Sequence, residues 1–189
     1  MDDNQGTANQ YLTFTLDHEV FALDIESVRE VLELTHITRV PRTPEFMRGV
    51  INLRGHAVPV VDMRKKFGMP LAEDTVNTCI IIAEVVLGDE SAVIGALADS
   101  VREVFEMGAD EIMPPPRMGL SVKTDFIRGM GKQDEEFVMI LDINKVFSEA
   151  EMTALGQAGA APAAGEKEAA GEKEAAGENG AAGEKEAAG

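Results

Sequence analysis

The sequence predicts a mainly β protein with short helices, built as two similar units in one chain. Three observations indicate this class. Short apolar or alternating runs are separated by turn-forming residues, which is typical of strands and hairpins. Blocks of sequence recur once, in the same order, at offsets of 73 to 80 residues. With 189 residues, the chain has room for one ordinary domain or for two small lobes that share a core.

The internal repeat is the most informative of these observations. Three blocks recur in order: SVREVLE at 27–33 as SVREVFE at 100–106, FMRGV at 46–50 as FIRGM at 126–130, and VPVVDMRKKF at 58–67 as VMILDINKVF at 138–147. The offset changes from 73 to 80 where the second copy carries a triple proline, so we interpret the difference as a loop insertion. Units of about 70 residues are small for an independent core, which predicts two lobes of like topology packed together.

Each unit opens with a predicted strand hairpin. In the first unit, YLTFTL and EVFALDI flank a turn at Asp17 and His18. In the second unit, NTCIIIAEVVL and SAVIGAL flank a turn at 88–90. These runs are rich in β-branched and aromatic residues, which favour strands.

The repeated SVREV segment follows the hairpin, and its spacing predicts a helix of one to two turns. Ile25, Val28 and Leu32 recur at helical intervals, whereas Arg29 and Glu30 can stay in solvent. The second copy repeats this pattern, so we expect a short helix in both units.

A second hairpin and a short helix complete each unit. GVINLRG leads through a turn at Arg54 and Gly55 into HAVPVVD, where Pro59 removes an amide donor and indicates an edge or a bulge. The counterpart pairs FIRGMG with EEFVMIL. Asp62 and Asp142 stand where the helices MRKKF and INKVF need an N-cap. Short strands with edge hairpins and capping helices are typical of small closed barrels.

Two segments of different composition bound the folded region. Residues 1–9 form a predicted flexible prefix, and 10–155 form the folded domain, with lobes at about 10–75 and 76–150. Residues 156–189 repeat the hexad AAGEKE and contain no aliphatic residue larger than alanine. Because glycine recurs at every sixth position, this tail is predicted to be disordered.

Composition narrows the range of functions. The formal net charge of −17 would repel nucleic acid. The longest apolar stretch spans only 92–98, far short of the roughly 20 residues that cross a bilayer, so no membrane insertion is expected. The acidic N-terminus has no signal sequence, and the cytoplasm is the expected location. One cysteine, Cys79, and three scattered histidines give no metal-ligand spacing, so neither a metal nor another cofactor is expected.

The stretch GVINLRGHAVPVVDMRKKFG resembles the signature of the CheW-type chemotaxis coupling proteins. The resemblance covers roughly 10–155 and includes the segments YLTFTLDHEVFALDIESVREV, TRVPRTPEFMRGV, NTCIII, FIRGMG and MILDINKVF. It implies two SH3-like, five-stranded β-barrel subdomains packed around a shared apolar core. It also implies a non-catalytic adaptor that joins the cytoplasmic tip of a chemoreceptor, a methyl-accepting chemotaxis protein, to the regulatory domain of the histidine kinase CheA in membrane-associated arrays.

The resemblance assigns receptor-facing roles to Val28, Gly49 and Arg54, and to Cys79 at the start of NTCIII. Valine is common in family members at the position of Cys79, so we interpret this thiol as a small hydrophobic side chain. The family also pairs the acid that matches Glu30 with the arginine that matches Arg54. Such a pair would orient the guanidinium at the mouth of a partner groove. The sequence identifies no residues of a kinase-facing surface.

The repeat provides an internal control for these assignments. Val28, Glu30 and Gly49 have counterparts of the same type in the second unit, which favours a structural interpretation for them. Arg54 is matched instead by Asp134. Because no rule shared by both units demands an arginine there, a functional role for Arg54 is favoured over that of an ordinary exposed hairpin residue.

Two alternatives to this function stay open. A small two-barrel enzyme or ligand-binding protein would carry its site between the lobes and gather at least two titratable groups with shifted pKa values there. An adaptor of a related array, controlling motility by pili or gene expression, would carry the same motifs. No catalytic set of nucleophile, base and orienting residue stands out. The basic run 64–66 is interpreted as a solvated helix face, with contact to an acidic patch on a partner as the alternative.

Overall fold

Ten strands and three α-helices are found in the residues that the computed structural model describes, 8–115 and 124–160. The strands are β1 (Asn9–Leu16), β2 (Glu19–Asp24), β3 (Val28–Glu33), β4 (Met47–Leu53), β5 (His56–Asp62), β6 (Cys79–Leu87), β7 (Glu90–Ala98), β8 (Ser100–Met107), β9 (Ile127–Gln133) and β10 (Glu136–Leu141). The helices are α1 (Met63–Lys66), α2 (Ile143–Val146) and α3 (Glu149–Ala160). The mainly β class predicted from the sequence is confirmed.

The strands form two five-stranded sheets with the same internal arrangement. Sheet one has the order β8-β1-β2-β10-β9, and sheet two has the order β3-β6-β7-β5-β4. Each sheet contains one parallel pair, β2 with β10 and β5 with β7, and its other neighbours are antiparallel. The repeat offsets equate β3 with β8, β4 with β9 and β5 with β10, so the two sheets are copies of one arrangement.

The sheets divide the chain differently from the predicted lobes at about 10–75 and 76–150. Sheet two uses the continuous segment 28–98, whereas sheet one combines the β1–β2 hairpin with β8, β9 and β10. Each sheet therefore takes one hairpin from one repeat unit and three strands from the other. A repeat reveals which elements are equivalent, but equivalent strands offer the same backbone donors and acceptors, so the pairing partner cannot be read from it.

Three apolar clusters stabilise this arrangement. The largest lies between the sheets and includes Phe14 and Phe21 from sheet one and Ile81 from sheet two. The other two fill the interiors of the curled sheets, around Tyr11 in sheet one and Ile80 in sheet two. Strand β6 is buried on both faces along its first half, which explains why its sequence begins with a continuous apolar run. The shared apolar core implied by the family resemblance is confirmed.

The repeated SVREV segment is a strand in both units, so the predicted helix is wrong. One copy lies in β3, at an edge of sheet two, and the other lies in β8, at an edge of sheet one. Burial alternates along β3, with Val28, Glu30 and Leu32 half-buried and the residues between them exposed. Val28 and Leu32 lie on one face both in a strand, with its period of two, and in a helix, with its period near 3.6. The segment is a strand because it pairs with β6.

The predicted helix caps are confirmed. Asp62 accepts a hydrogen bond from the Lys65 amide at 3.1 Å, at the start of α1. Asp142 accepts one from the Asn144 amide at 3.1 Å, at the start of α2. Each carboxylate thus satisfies a backbone donor that the first turn of a helix leaves without a partner.

The basic run of α1 is not a solvated face, contrary to the prediction. The Arg64 side chain is 13% exposed and pairs with Asp99, where the chain passes from sheet two to sheet one. The Lys66 side chain is 14% exposed and pairs with Glu151 of α3 at 2.5 Å. Lys65 alone of the three makes no ion pair within the described ranges. The run therefore ties α1 to the junction of the sheets and to α3.

Helix α3 continues into the segment predicted to be disordered. It ends at Ala160 and packs on β5, with Leu155 and Ala158 buried in the shared core. The prediction of a disordered tail is therefore wrong for 156–160, because tertiary contacts outweigh the low helix propensity of glycine. The remainder of the predicted tail, 161–189, lies outside the described residues.

Two further predictions fall mostly or partly outside the described residues. The prefix 1–9 is described only from residue 8, and β1 begins at Asn9. The loop insertion around the triple proline runs into 116–123, which the structure does not describe. Among the helices of the described ranges, none has the length and hydropathy of a membrane span.

Two truncated chains should distinguish the contribution of the end of α3 to stability from that of the residues beyond it. A chain that ends at Leu155 loses the last turn of α3 and the buried Ala158, so we expect its free energy of unfolding to fall by about 2 kcal/mol. A chain that ends at Ala160 keeps both and should stay within roughly 0.5 kcal/mol of the full chain. Urea unfolding of the three chains measures these differences. Equal stability of the two truncated chains would show that the last turn contributes nothing.

Candidate partner-binding site

The structure contains the Glu30–Arg54 ion pair that the family resemblance implies. The β4–β5 turn holds Arg54 at φ 51° and Gly55 at φ 86°, a backbone geometry typical of two-residue hairpin turns. Arg54 donates from Nη1 to Oε1 of Glu30 at 2.6 Å and from Nη2 to Oε2 at 2.9 Å. This bidentate contact joins the β4–β5 turn to β3, and thereby connects the two edge strands of sheet two.

The two members of the pair differ in their access to solvent. The Arg54 side chain is 72% exposed, whereas that of Glu30 is 26% exposed. The hydrogen bond from Arg54 lowers the pKa of Glu30, and the same contact raises the pKa of Arg54. Both groups therefore stay charged near neutral pH. Because a guanidinium carries five N–H donors, Arg54 keeps donors available for a partner molecule.

The other lobe makes the same contact without an arginine. Glu103, the counterpart of Glu30, accepts a hydrogen bond at Oε1 from Nε2 of Gln133 at 2.7 Å. Gln133 stands one residue before Asp134, the counterpart of Arg54. An acid that joins an edge strand to the opposite hairpin is therefore part of the fold in both lobes. The first lobe differs by placing a positive charge at that point.

Arg54 lies at one end of the curled sheet two, where a cavity of about 370 Å³ opens to solvent. The ion pair lines its rim, and the apolar side chains of Leu53, Val58 and Ile82 line its interior. A charged rim around an apolar floor is the composition expected of a concave site that receives a side chain of another molecule.

Gly49 occupies a position where no side chain fits. Its φ is 148°, and a Cβ built on it would lie 2.2 Å from the carbonyl oxygen of Thr38. The segment after β3 crosses β4 here, with Thr38 and Val50 exchanging two backbone hydrogen bonds of 2.9 and 2.8 Å. Gly129, the counterpart in sheet one, is crowded in the same way by Met113. The shared geometry supports the structural interpretation of this glycine.

Val28 and Cys79 both pack against the shared core. Val28 is half-buried, and Cys79 is 7% exposed, with Sγ 3.9 Å from the Ala98 carbonyl oxygen. Burial raises the pKa of the Cys79 thiol, so the thiol stays protonated and unreactive near neutral pH. This environment agrees with the interpretation of Cys79 as a small hydrophobic side chain.

The structure brings the predicted positions together only in part. Val28 pairs with Ala83, and Glu33 pairs with Cys79, so Val28 and Cys79 are separated by the four residue steps from Cys79 to Ala83 along β6, opposite a register shift in β3. At about 3.4 Å per residue this separation is roughly 14 Å. Glu30 and Arg54 are in contact, whereas Gly49 and Cys79 are buried and present no side chain to solvent. The exposed part of the candidate site is therefore centred on Arg54.

Titration of Glu30 should report the ion pair directly. In the folded chain we expect its carboxyl to titrate below 4.5, and in Arg54→Ala to return toward 4.5, because the favoured ionised form loses its donor. The pair therefore contributes above the pKa of the unfolded chain, and this contribution is lost as pH falls through the lower folded value. Carbon-13 NMR of the Glu30 carboxyl measures both. Arg102→Ala, which removes the exposed Arg102–Glu136 pair, should leave Glu30 unchanged.

Two other shifted pKa values, those of Arg64 and Glu84, have structural causes. Hydrogen bonding to Asp99 raises the pKa of Arg64, at the junction between the sheets. A hydrogen bond from Arg29 lowers the pKa of Glu84 on the surface of sheet two. In the part of the chain that the structure describes, no three or more His, Cys, Asp or Glu side chains are grouped as a metal site.

A second charged cavity was not predicted from the sequence. It is about 330 Å³ in volume and is lined by Arg39, Arg48 and Lys65. These residues come from the segment before β4, from β4 and from α1, and their irregular spacing gives no motif. Only the fold brings them together.

Two SH3-like barrels, each a curled five-stranded sheet, share an apolar core and define this chain as a two-barrel protein. The model of the CheW-like domain matches residues 10–151, which is most of the chain. The chain belongs to the CheW-like domain family.

Individual relatives agree with this assignment. The chain is 35% identical to the chemotaxis protein CheW of Klebsiella aerogenes over 148 residues, which cover 78% of this chain and 87% of that protein. It is 29% identical to the protein FrzA of Myxococcus xanthus, over 70% of this chain and 81% of FrzA. It resembles the crystal structure of the scaffolding protein TtCheW from Thermoanaerobacter tengcongensis with a TM-score of 0.68 and 34% identity, covering 77% of this chain and 96% of TtCheW.

Proposed function

We propose that this protein is a non-catalytic adaptor that couples the cytoplasmic tips of chemoreceptors to the regulatory domain of the histidine kinase CheA. Membership of the CheW-like family supports this role, as do the chemotaxis names of its relatives and the scaffolding title of its structural neighbour. The protein would act in the cytoplasm and be recruited to membrane-associated receptor arrays.

The observation that carries the proposal is the solvent-facing guanidinium of Arg54. The fold accounts for Glu30, which positions this guanidinium, because Glu103 makes the corresponding contact in the other lobe. It does not explain the arginine, since Asp134 occupies the same turn position there. An oriented cation above an apolar cavity suits a helical receptor segment that presents both a carboxylate and an apolar side chain.

The rigidity of the protein fits the coupling role. Two sheets joined by one shared core limit independent movement of the lobes, so partners bound to each would be held in a fixed relation. The adaptor could then change kinase activity only by binding the active and inactive assemblies with unequal affinity. The chain itself would perform no covalent step.

Reconstitution tests the proposal. The full chain, a receptor signalling fragment and the CheA regulatory domain would be mixed pairwise and together at micromolar concentration and analysed by pull-down. We expect the full chain to retain both partners, and to raise receptor-dependent phosphorylation when full-length CheA replaces the domain. A folded chain that retained neither partner would contradict the adaptor role. Retention of both partners without any change in kinase activity would contradict coupling but leave scaffolding intact.

A further inference from the structure

A pocket apart from the Arg54 site collects positive charge on an otherwise acidic chain. Arg39, Arg48 and Lys65 line it, together with the buried Asp62 and the exposed Leu71. Its volume is about 330 Å³, which is room for one or two side chains of another molecule. The chain as a whole carries a net charge of −17, so three cations around one pocket are a local departure from its surroundings.

The cations of this pocket differ in their partners. Arg48 is already neutralised, because it donates to Asp62 at 3.3 Å and to Asp74 at 2.5 Å. Arg39 and Lys65 are exposed, and neither forms an ion pair with any described residue. Three cations therefore face two carboxylates, which leaves one uncompensated positive charge. The two cations without partners are the ones that a ligand can reach.

The composition of the pocket indicates the chemical class of its ligand. One uncompensated positive charge balances a single negative charge, such as a carboxylate. A phosphate would bring nearly two negative charges close to Asp62 and Asp74, which repel it. Val40 and Leu71 add apolar surface beside the cations, which suits the methylene groups of a glutamate side chain.

We infer that this pocket binds a glutamate side chain of an acidic peptide segment. Arg39 and Lys65 donate hydrogen bonds to the carboxylate, and the neutralised Arg48 completes the basic part of the lining. Ion pairs of this kind are charge-assisted and gain strength from the partly apolar surroundings. The inference goes beyond the coupling role, since it specifies a second recognition point that does not involve Arg54.

Fluorescence anisotropy with a labelled hexaglutamate peptide tests the inference on the full chain. We expect saturable binding at low salt that weakens as salt is added. Arg39→Glu and Lys65→Glu should each weaken it roughly tenfold or more, because each replaces a donor with a repelling carboxylate. Lys132→Glu is the matched control, since this exposed lysine of β9 makes no ion pair among the described residues and the charge change is identical.

Three results would overturn the inference. The first is a lack of binding of hexaglutamate to the full chain at millimolar concentration. The second is an equal loss of affinity in Lys132→Glu and in the pocket variants, which would indicate attraction by overall charge alone. The third is displacement of the labelled peptide by inorganic phosphate at the same concentration at which free glutamate displaces it. Thermal unfolding of each variant controls for folding, and Arg39→Gln and Lys65→Gln replace any charge-reversed variant that unfolds.

Discussion

Gly49→Ala is expected to destabilise the protein by at least about 3 kcal/mol. The added Cβ would lie 2.2 Å from the Thr38 carbonyl oxygen, so the backbone of the crossing segment must move. The φ of 148° adds strain, because side chains rarely adopt it. Overpacking and backbone strain each cost on the order of 1 to 3 kcal/mol, and here they coincide. Urea unfolding monitored by circular dichroism measures the loss.

Gly55→Ala is the matched control for this prediction. Gly55 also has a positive φ, of 86°, but a Cβ there would meet nothing within 4 Å. It should therefore cost only about 1 kcal/mol, from backbone strain alone. Equal losses in Gly49→Ala and Gly55→Ala would show that the crossing segment yields freely. If the prediction holds, weaker receptor binding in a Gly49 variant would reflect an altered fold, and would not identify a contact.

Arg54→Asp is expected to weaken binding of the receptor fragment by tenfold or more while leaving the fold intact. The turn accepts aspartate, because Asp134 occupies the corresponding position of the β9–β10 turn at φ 53°. The substitution places a carboxylate opposite Glu30 and removes the donors that face solvent. Under the proposed function, a carboxylate of the partner would then be repelled by an aspartate at position 54, whereas the guanidinium of Arg54 attracts it. Titration calorimetry with the receptor fragment measures the affinity.

Arg102→Asp provides the comparison for Arg54→Asp. It reverses the same charge and breaks a similarly exposed pair, Arg102–Glu136 at 2.6 Å, on the other lobe. We expect its receptor affinity to stay within about twofold of the full chain, since exposed pairs contribute little on their own. Comparable losses in both variants would assign the effect to net charge. An unchanged affinity in Arg54→Asp, with an unchanged melting curve, would remove Arg54 from the receptor contact.

Strands buried on both faces were the easiest elements to predict. The run at the start of β6 is continuously apolar because one face contacts the shared core and the other fills the barrel. The edge strands were harder. In β3 the spacing of Val28 and Leu32 suits either a helix or a strand, and only the neighbouring strand resolves it. Periodicity describes one segment, whereas a sheet depends on a partner far away in sequence.

The candidate site, too, was predictable from the sequence only in part. The resemblance supplied the Glu30–Arg54 pair, and the repeat singled out Arg54 by showing that its counterpart is an aspartate. Neither source indicated that the opposite lobe keeps the contact through Gln133. The pocket of Arg39 and Lys65 left no trace in the sequence, because the 25 residues 40–64, which include the β4–β5 hairpin, separate the two. Such sites arise from tertiary packing and cannot be found by spacing.

Sheet two is formed by one continuous segment of the chain, whereas sheet one combines strands from both ends, and this difference affects folding during synthesis on the ribosome. The β1–β2 hairpin emerges first, but its partners β8 to β10 are encoded after every strand of sheet two. At roughly 5 to 20 residues per second, the hairpin waits on the order of ten seconds for them. Sheet two can complete its strand pairing during that interval, while Phe14 and Phe21 of the nascent N-terminal hairpin stay accessible to solvent and to chaperones.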